Sequence, residues 1–240
     1  MTPIIDAPSP NQNERKLPIS LLVLHYTGME SGDAALTRLR DPEAKVSAHY
    51  LIEEDGRIFR MVEEDKRAWH AGVSNWTGIT DVNSASIGIE IVNGGHDFGL
   101  PDFPDVQINA LIPLCKRIIM DHDIQPHNVV GHSDIAPERK DDPGEKFPWR
   151  GLAAAGIGLW PGDGNGDRRV LFEADDRDRG IAILQRALAG IGYAVEIDGV
   201  MSERTVLVTR AFQRRFRQEQ VDGVVDMETF DLVARAAQMV

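Results

Sequence analysis

The chain has a single cysteine, Cys115. That excludes an intramolecular disulfide and any structural zinc site built from paired cysteines. Long apolar runs are missing too, and no stretch approaches the ~18 residues a membrane-spanning helix needs. Basic residues are in deficit, 26 Lys and Arg against 38 Asp and Glu, for a net charge of −12. Such a balance argues against sequence-blind binding to nucleic acid or to an anionic membrane surface. The first residues, MTPIIDAPSPNQNERK, lack a basic segment followed by an apolar run and do not read as a secretory signal. The expectation from sequence is therefore a cytoplasmic protein, with the periplasm or cell envelope as the alternative.

What is present is enough for a core: 42% hydrophobic and 27% charged residues over 240 positions allow one large domain and a small one. Residues 1–16 read as a polar lead-in. ISLLVLH (19–25) is a continuous apolar run ending in histidine, as in a buried central strand. DAALTRLR (33–40) predicts a short helix capped by Asp33, and AHYLIEEDGRIFRMV (48–62) a hairpin around Asp55-Gly56. SIGIEIVN (86–93) predicts a strand with Glu90 in its middle. DVQINALIPLCKRIIMDH (105–122) predicts a helix capped by Asp105 and kinked or broken at Pro113. NVVGH (128–132) is a short strand leading into the loop GHSDIAPERKDDPG (131–144). Interleaved strands and helices predict an α/β fold, a mixed central sheet flanked by helices.

Gly, Pro and Asp dominate 159–170, which reads as a linker. Its Asp163-x-Asn165-x-Asp167 resembles the start of a calcium loop, but Arg168 stands where glycine is needed and Ala174 where glutamate is. Beyond it DGVMSERT (198–205) recurs as DGVVDMET (222–229), each copy a turn followed by an N-cap, Ser202 or Asp226, and a helix. With IAILQRALAGIG (181–192) this predicts a small all-α three-helix domain over 171–240, closed on itself. Arg210, Arg214, Arg215 and Arg217 on its middle helix read as a solvated face.

A catalytic zinc needs three protein ligands and one open position. His25 and His132 each fall at the end of a predicted buried strand, and Asp142 can complete the set from the loop that follows. His70 in AWHAG is the rival: ligand, cleft wall or proton donor. His49, His96, His122 and His127 read as ordinary core or surface histidines. Glu90, inside an apolar strand, suits a general acid/base, because a buried carboxylate is costly unless paired or raised in pKa. Lys140 brings a positive charge two residues from Asp142, where it can stabilise an oxyanion. A zinc DD-peptidase pattern starting at His127 and Asp134 fails, since no histidine follows His132.

In order, VLHYTG, SAHYLIEEDG, AWHAG, SIGIEIVN and GHSDIAPERKDDPG resemble the zinc-dependent N-acetylmuramoyl-L-alanine amidases of the AmpD type, over about 17–158. That family shares its fold with the peptidoglycan recognition proteins. LQRALAGIGY, DGVMSERT, AFQRRF and VDGVVDMET are similar to the three-helix peptidoglycan-binding domain. The resemblance implies Zn2+ on His25, His132 and Asp142, catalysis by Glu90 and Lys140, and a substrate cleft with His70, Trp69, Tyr26 and Arg139. The implied substrate is peptidoglycan or an anhydromuropeptide, cut between the lactyl group of N-acetylmuramic acid and L-alanine. Ala48 stands where phage-type relatives carry tyrosine, which favours the AmpD branch. The alternative is a peptidoglycan-binding protein that kept the fold and lost catalysis.

Overall fold

The computed structural model describes residues 3–240. In chain order its first part runs β1 (Ile4–Asp6), β2 (Gln12–Glu14), β3 (Leu21–Tyr26), α1 (Gly32–Arg40), β4 (Tyr50–Ile52), β5 (Ile58–Arg60), β6 (Lys66–Ala68), α2 (Val82–Ala85), β7 (Ser86–Ile91), α3 (Asp105–His122), β8 (Val129–Gly131), α4 (His132–Ile135) and α5 (Trp149–Ala154). The rest runs β9 (Val170–Phe172), α6 (Arg179–Ile191), α7 (Glu203–Phe216), β10 (Val225–Asp226) and α8 (Met227–Ala237). No helix among the described residues is long and apolar enough to cross a membrane.

Six strands form a mixed sheet in the order β1-β5-β4-β7-β3-β8. β4 and β5 are the expected hairpin, antiparallel; β3 lies between β7 and β8, parallel to both. The central strand β3 is apolar on both faces because both are covered. Leu22 and Leu24 join Ile87, Ile89 and Ile91 of β7 in a core closed by Leu111, Cys115 and Ile118 of α3. Leu21 and Val23 point the other way, into a core shared with Leu184, Leu188, Phe212 and Leu232 of the C-terminal helices. The three helices therefore do not close on themselves. They form one layer of the same sandwich, and Trp76 of the first part meets Tyr193 of the second edge to face, ring centroids 4.9 Å apart.

Several expectations need correcting. The lead-in is structured: β1 extends the sheet beside β5, and β2 pairs antiparallel with β6. The α1 cap is Ser31, whose hydroxyl accepts from the Ala34 amide, while Asp33 sits inside the first turn. Asp105 is likewise the first helical residue of α3 and not its cap, and the helix continues through Pro113 without a break. The linker ends in β9, which pairs with β10, and its Gly166 amide donates to Glu228. The repeat behaves as expected: Ser202 accepts from the Thr205 amide and Asp226 from that of Thr229.

The arginine cluster departs most. Arg215 and Arg217 are 3% and 5% exposed. Arg215 donates to Asp134 at 3.0 Å and to the Val129 carbonyl at 2.8 Å, with its guanidinium over the Trp149 ring. Arg217 bonds Asp226 and Glu228 within its own unit. Arg210 is exposed as expected, but the end of α7 from Arg214 to Arg217 turns its charges inward, because it packs against the ends of the sheet as well as against its sister helices.

Candidate active site

Side chains alternate along β3, so His25 follows Leu21 and Val23 onto the face that carries the C-terminal helices. Parallel register sets His25 directly beside Glu90 of β7, which therefore emerges on the same face. His132 begins α4 at the end of β8, one strand over. Asp142 comes back from the following loop, where its carbonyl accepts from the Ser133 amide at 2.9 Å. That return needs a bare backbone at Gly131, where a Cβ would come within 2.8 Å of Pro143.

Three buried ligand atoms converge there. His25 Nδ1 lies 3.0 Å from both His132 Nδ1 and Asp142 Oδ2, and His132 Nδ1 lies 3.1 Å from the same oxygen. The hydrogen-bond network assigns the protons. Ser86 Oγ donates to the Val82 carbonyl, so it must accept from His70 Nε2. His70 Nδ1 is then the acceptor for His25 Nε2–H at 3.0 Å. His132 Nε2 faces the Ala71 carbonyl at 3.1 Å and can only donate. Both Nδ1 atoms thus present lone pairs to each other and to a carboxylate, with no proton between them. A metal cation bound among the three atoms would relieve that arrangement. A tetrahedral zinc with bonds of about 2.0 Å has ligand–ligand edges of about 3.3 Å, close to this triangle.

Electrostatics agree. Burial, helped by the neighbouring His132, lowers His25 to about 4, which keeps its lone pair free. Burial alone would raise the Asp142 carboxyl, yet positive charge at the His132 and His25 positions holds it well below the usual carboxylate range, the response that a cation in the triangle would also draw. Glu90 goes the other way: burial first, then the nearby Asp142 charge, push it well above its ordinary value against the pull of Lys140. Glu90 Oε2 is buried and has no hydrogen-bond partner among the described residues. A cleft of about 610 Å³ opens over these groups, with His25, His132, Asp142, Glu90 and Lys140 all on its wall.

Residues 15–145 match the family described as N-acetylmuramoyl-L-alanine amidase, and residues 177–233 a peptidoglycan binding domain family. The chain is 41% identical over 223 residues to the N-acetylmuramoyl-L-alanine amidase AmiD of Escherichia coli, covering 88% of this chain and 79% of that one. It belongs to this amidase family. The solved complex of the Escherichia coli enzyme with anhydro-N-acetylmuramic acid-L-Ala-D-gamma-Glu-L-Lys superposes with a TM-score of 0.77 at 39% identity, over 94% of this chain and 92% of that one. The 1,6-anhydro-N-acetylmuramyl-L-alanine amidase AmpD of Salmonella typhimurium is 40% identical over 147 residues, 54% of this chain and 76% of its own.

Within the amidase cleft, the residues expected to bind substrate divide. Tyr26 and Trp69 line the wall, Trp69 with its indole N–H donating to Asn13 at 2.6 Å. His70 lines it too, but it is 9% exposed and its ring backs His25, over a glycine: a Cβ on Gly88 would meet His70 Cγ at 2.5 Å. Arg139 reaches the cleft edge but turns its guanidinium to the Ala71 and Val73 carbonyls, pinning the backbone that His132 leans on.

Sequence reasoning missed two residues and read a third as bland. Ser86 fixes the His70 tautomer, and Glu145 holds His96 at 3.0 Å. His96 lies on the cleft wall, 2.9 Å from the Tyr26 hydroxyl. Nothing in the spacing of HDFG points there; the contact depends on how a surface loop folds over the end of β3. His49 and His122 fit the bland reading, accepting from the Gly88 amide and bonding Glu64 respectively.

Proposed function

We propose that this amidase is a zinc enzyme, with His25, His132 and Asp142 as metal ligands and Glu90 and Lys140 as catalytic residues. The observation that carries it is the cluster of two imidazole nitrogens and one carboxylate oxygen beside a half-buried Glu90 whose buried Oε2 finds no hydrogen-bond partner among the described residues. Zinc held there supplies a Lewis acid that lowers the pKa of water from 15.7 towards about 7 and polarises a carbonyl.

The chain's own residues do the rest. The lactyl carbonyl of N-acetylmuramic acid sits over the ligand triangle with the stem peptide along the cleft. Glu90, placed in the low-dielectric wall, takes the proton of the attacking water and returns it to the departing L-alanine amine. Lys140 meets the negative charge that develops on the carbonyl oxygen. Tyr26, Trp69 and His96 form the wall against which sugar and peptide rest.

Both soluble anhydromuropeptides and polymeric peptidoglycan are substrates in this reading. The complex of the Escherichia coli relative with a soluble anhydromuropeptide supports the first. The match to a peptidoglycan binding domain supports the second. The test is mass spectrometry of products from sacculi and from a 1,6-anhydromuropeptide, with and without chelator. Chelator-sensitive release of peptides bearing a free L-alanine amine is expected. Retention of sacculi with zinc bound and no release would leave a binding protein in its place.

A further inference from the structure

The loop that carries Lys140 and Asp142 is held from outside the catalytic part of the chain. Arg214, near the end of α7, donates to Asp141 Oδ1 at 2.7 Å, and its Nε lies 3.7 Å from Glu145 Oε2. Asp141 is the residue between Lys140 and Asp142. Glu145 also bonds His96, which meets the Tyr26 hydroxyl, so the arginine's charge stands near the cleft wall. Next to it, Arg215 and Tyr193 both bond the buried Asp134, whose other contact is the Gly131 amide just before His132.

We propose that Arg214 is a positioning residue for the amidase reaction: from the C-terminal unit it fixes Asp141, with its charge near Glu145, and through Asp141 the placement of Lys140 and Asp142. The inference rests on the zinc reading above. Arg214 is 12% exposed while Asp141 is 55% exposed. A pair with one partner in solvent adds little to folding stability. Its value lies in geometry, since a displacement of about 1 Å at a reacting group can cost on the order of 10²-fold in rate. Partners behind a metal ligand typically govern roughly 10–100-fold of metal affinity.

The experiment compares the full-length wild type with Arg214→Ala, Arg214→Lys, Asp141→Asn and the Arg214→Ala/Asp141→Asn double variant. Zinc affinity is read by chelator competition, and kcat and KM on a soluble anhydromuropeptide. Arg214→Ala is expected to weaken zinc about tenfold and lower kcat by about tenfold or more, with KM nearly unchanged. Arg214→Lys should recover part of both losses. Asp141→Asn should match Arg214→Ala, and the double variant should be no worse than either, because one pair is being removed. Wild-type zinc affinity and kcat in Arg214→Ala and Asp141→Asn would overturn the inference alone, as would losses that multiply in the double variant. A wild type that takes up no zinc would overturn the metal reading, and this inference with it.

Discussion

Glu90 pairs with His25 across the parallel ladder of β7 and β3. Residues in register on adjacent parallel strands share a face, so the clustered His25 and the half-buried Glu90 carboxyl are set side by side by backbone pairing alone. Loops carry no part of that placement. Glu90→Gln keeps the shape and removes the proton acceptor. It is expected to lower kcat by about 10²–10⁴, the usual span for a general acid/base. Zinc affinity by chelator competition should stay within a few-fold. A Glu90→Gln enzyme with near wild-type kcat would remove Glu90 from the chemistry.

His70 stands behind His25 in a one-way chain of hydrogen bonds: His25 to His70 to Ser86 to the Val82 carbonyl. That chain fixes which His25 nitrogen carries the proton. Losing such a partner typically lowers metal affinity roughly 10–100-fold. His70→Ala should therefore release zinc to a chelator that leaves the wild type loaded. Unchanged affinity would make His70 a cleft residue only, as the family resemblance alone implies.

The cluster of His25, His132 and Asp142 was legible in the sequence because each member is local: a histidine ending an apolar strand, another doing the same, and an aspartate in the loop that follows. Glu90 was legible because a carboxylate inside IGIEIV has a cost that needs a reason. The His25–Glu90 register was not, since strand order decides it and a strand carries no label for its neighbour. Nor was the role of α7. Its amphipathic pattern says which face is polar but not what that face meets, and Arg214 and Arg215 meet Asp141 and Asp134 from the first part of the chain. The unbroken apolar run of β3 required cover on both faces. It could not say that one cover comes from Leu184, Phe212 and Leu232.

His49 gives the fold a pH dependence of definite sign. Its ring is fully buried, accepts from the Gly88 amide, and packs close to the Arg15 guanidinium. Burial first, then that guanidinium, lower it to about 3 from the ordinary 6.5. A histidine depressed on folding favours the unfolded chain as acid charges it, so stability is full above pH ~6.5 and falls towards pH ~3. The slope is about 1.4 kcal/mol per pH unit in that window. Urea unfolding at pH 7 and pH 5 should differ by about 2 kcal/mol from this group. His49→Asn should be less stable at pH 7 and should flatten the dependence; an equal slope in the variant would assign the acid lability elsewhere.

The shared core makes a prediction about truncation. Cutting the chain before Trp160 would bare Leu21, Val23, Trp76, Val82 and Val130, all buried against the C-terminal helices. It would also leave Asp134 without Arg215 and Tyr193, at a typical cost of about 1–3 kcal/mol for each buried polar group left unpaired. The truncated protein is expected to aggregate or to unfold well below the full chain, although its family match ends at residue 145. Tyr193→Phe isolates the polar part of that coupling, since only the hydroxyl donating to Asp134 at 2.6 Å is lost. Thermal unfolding of this variant should remain a single transition at lower Tm. Two separate transitions, one for each part of the chain, would show that the sheet and the three helices are independent bodies and that the seam between them carries no stability.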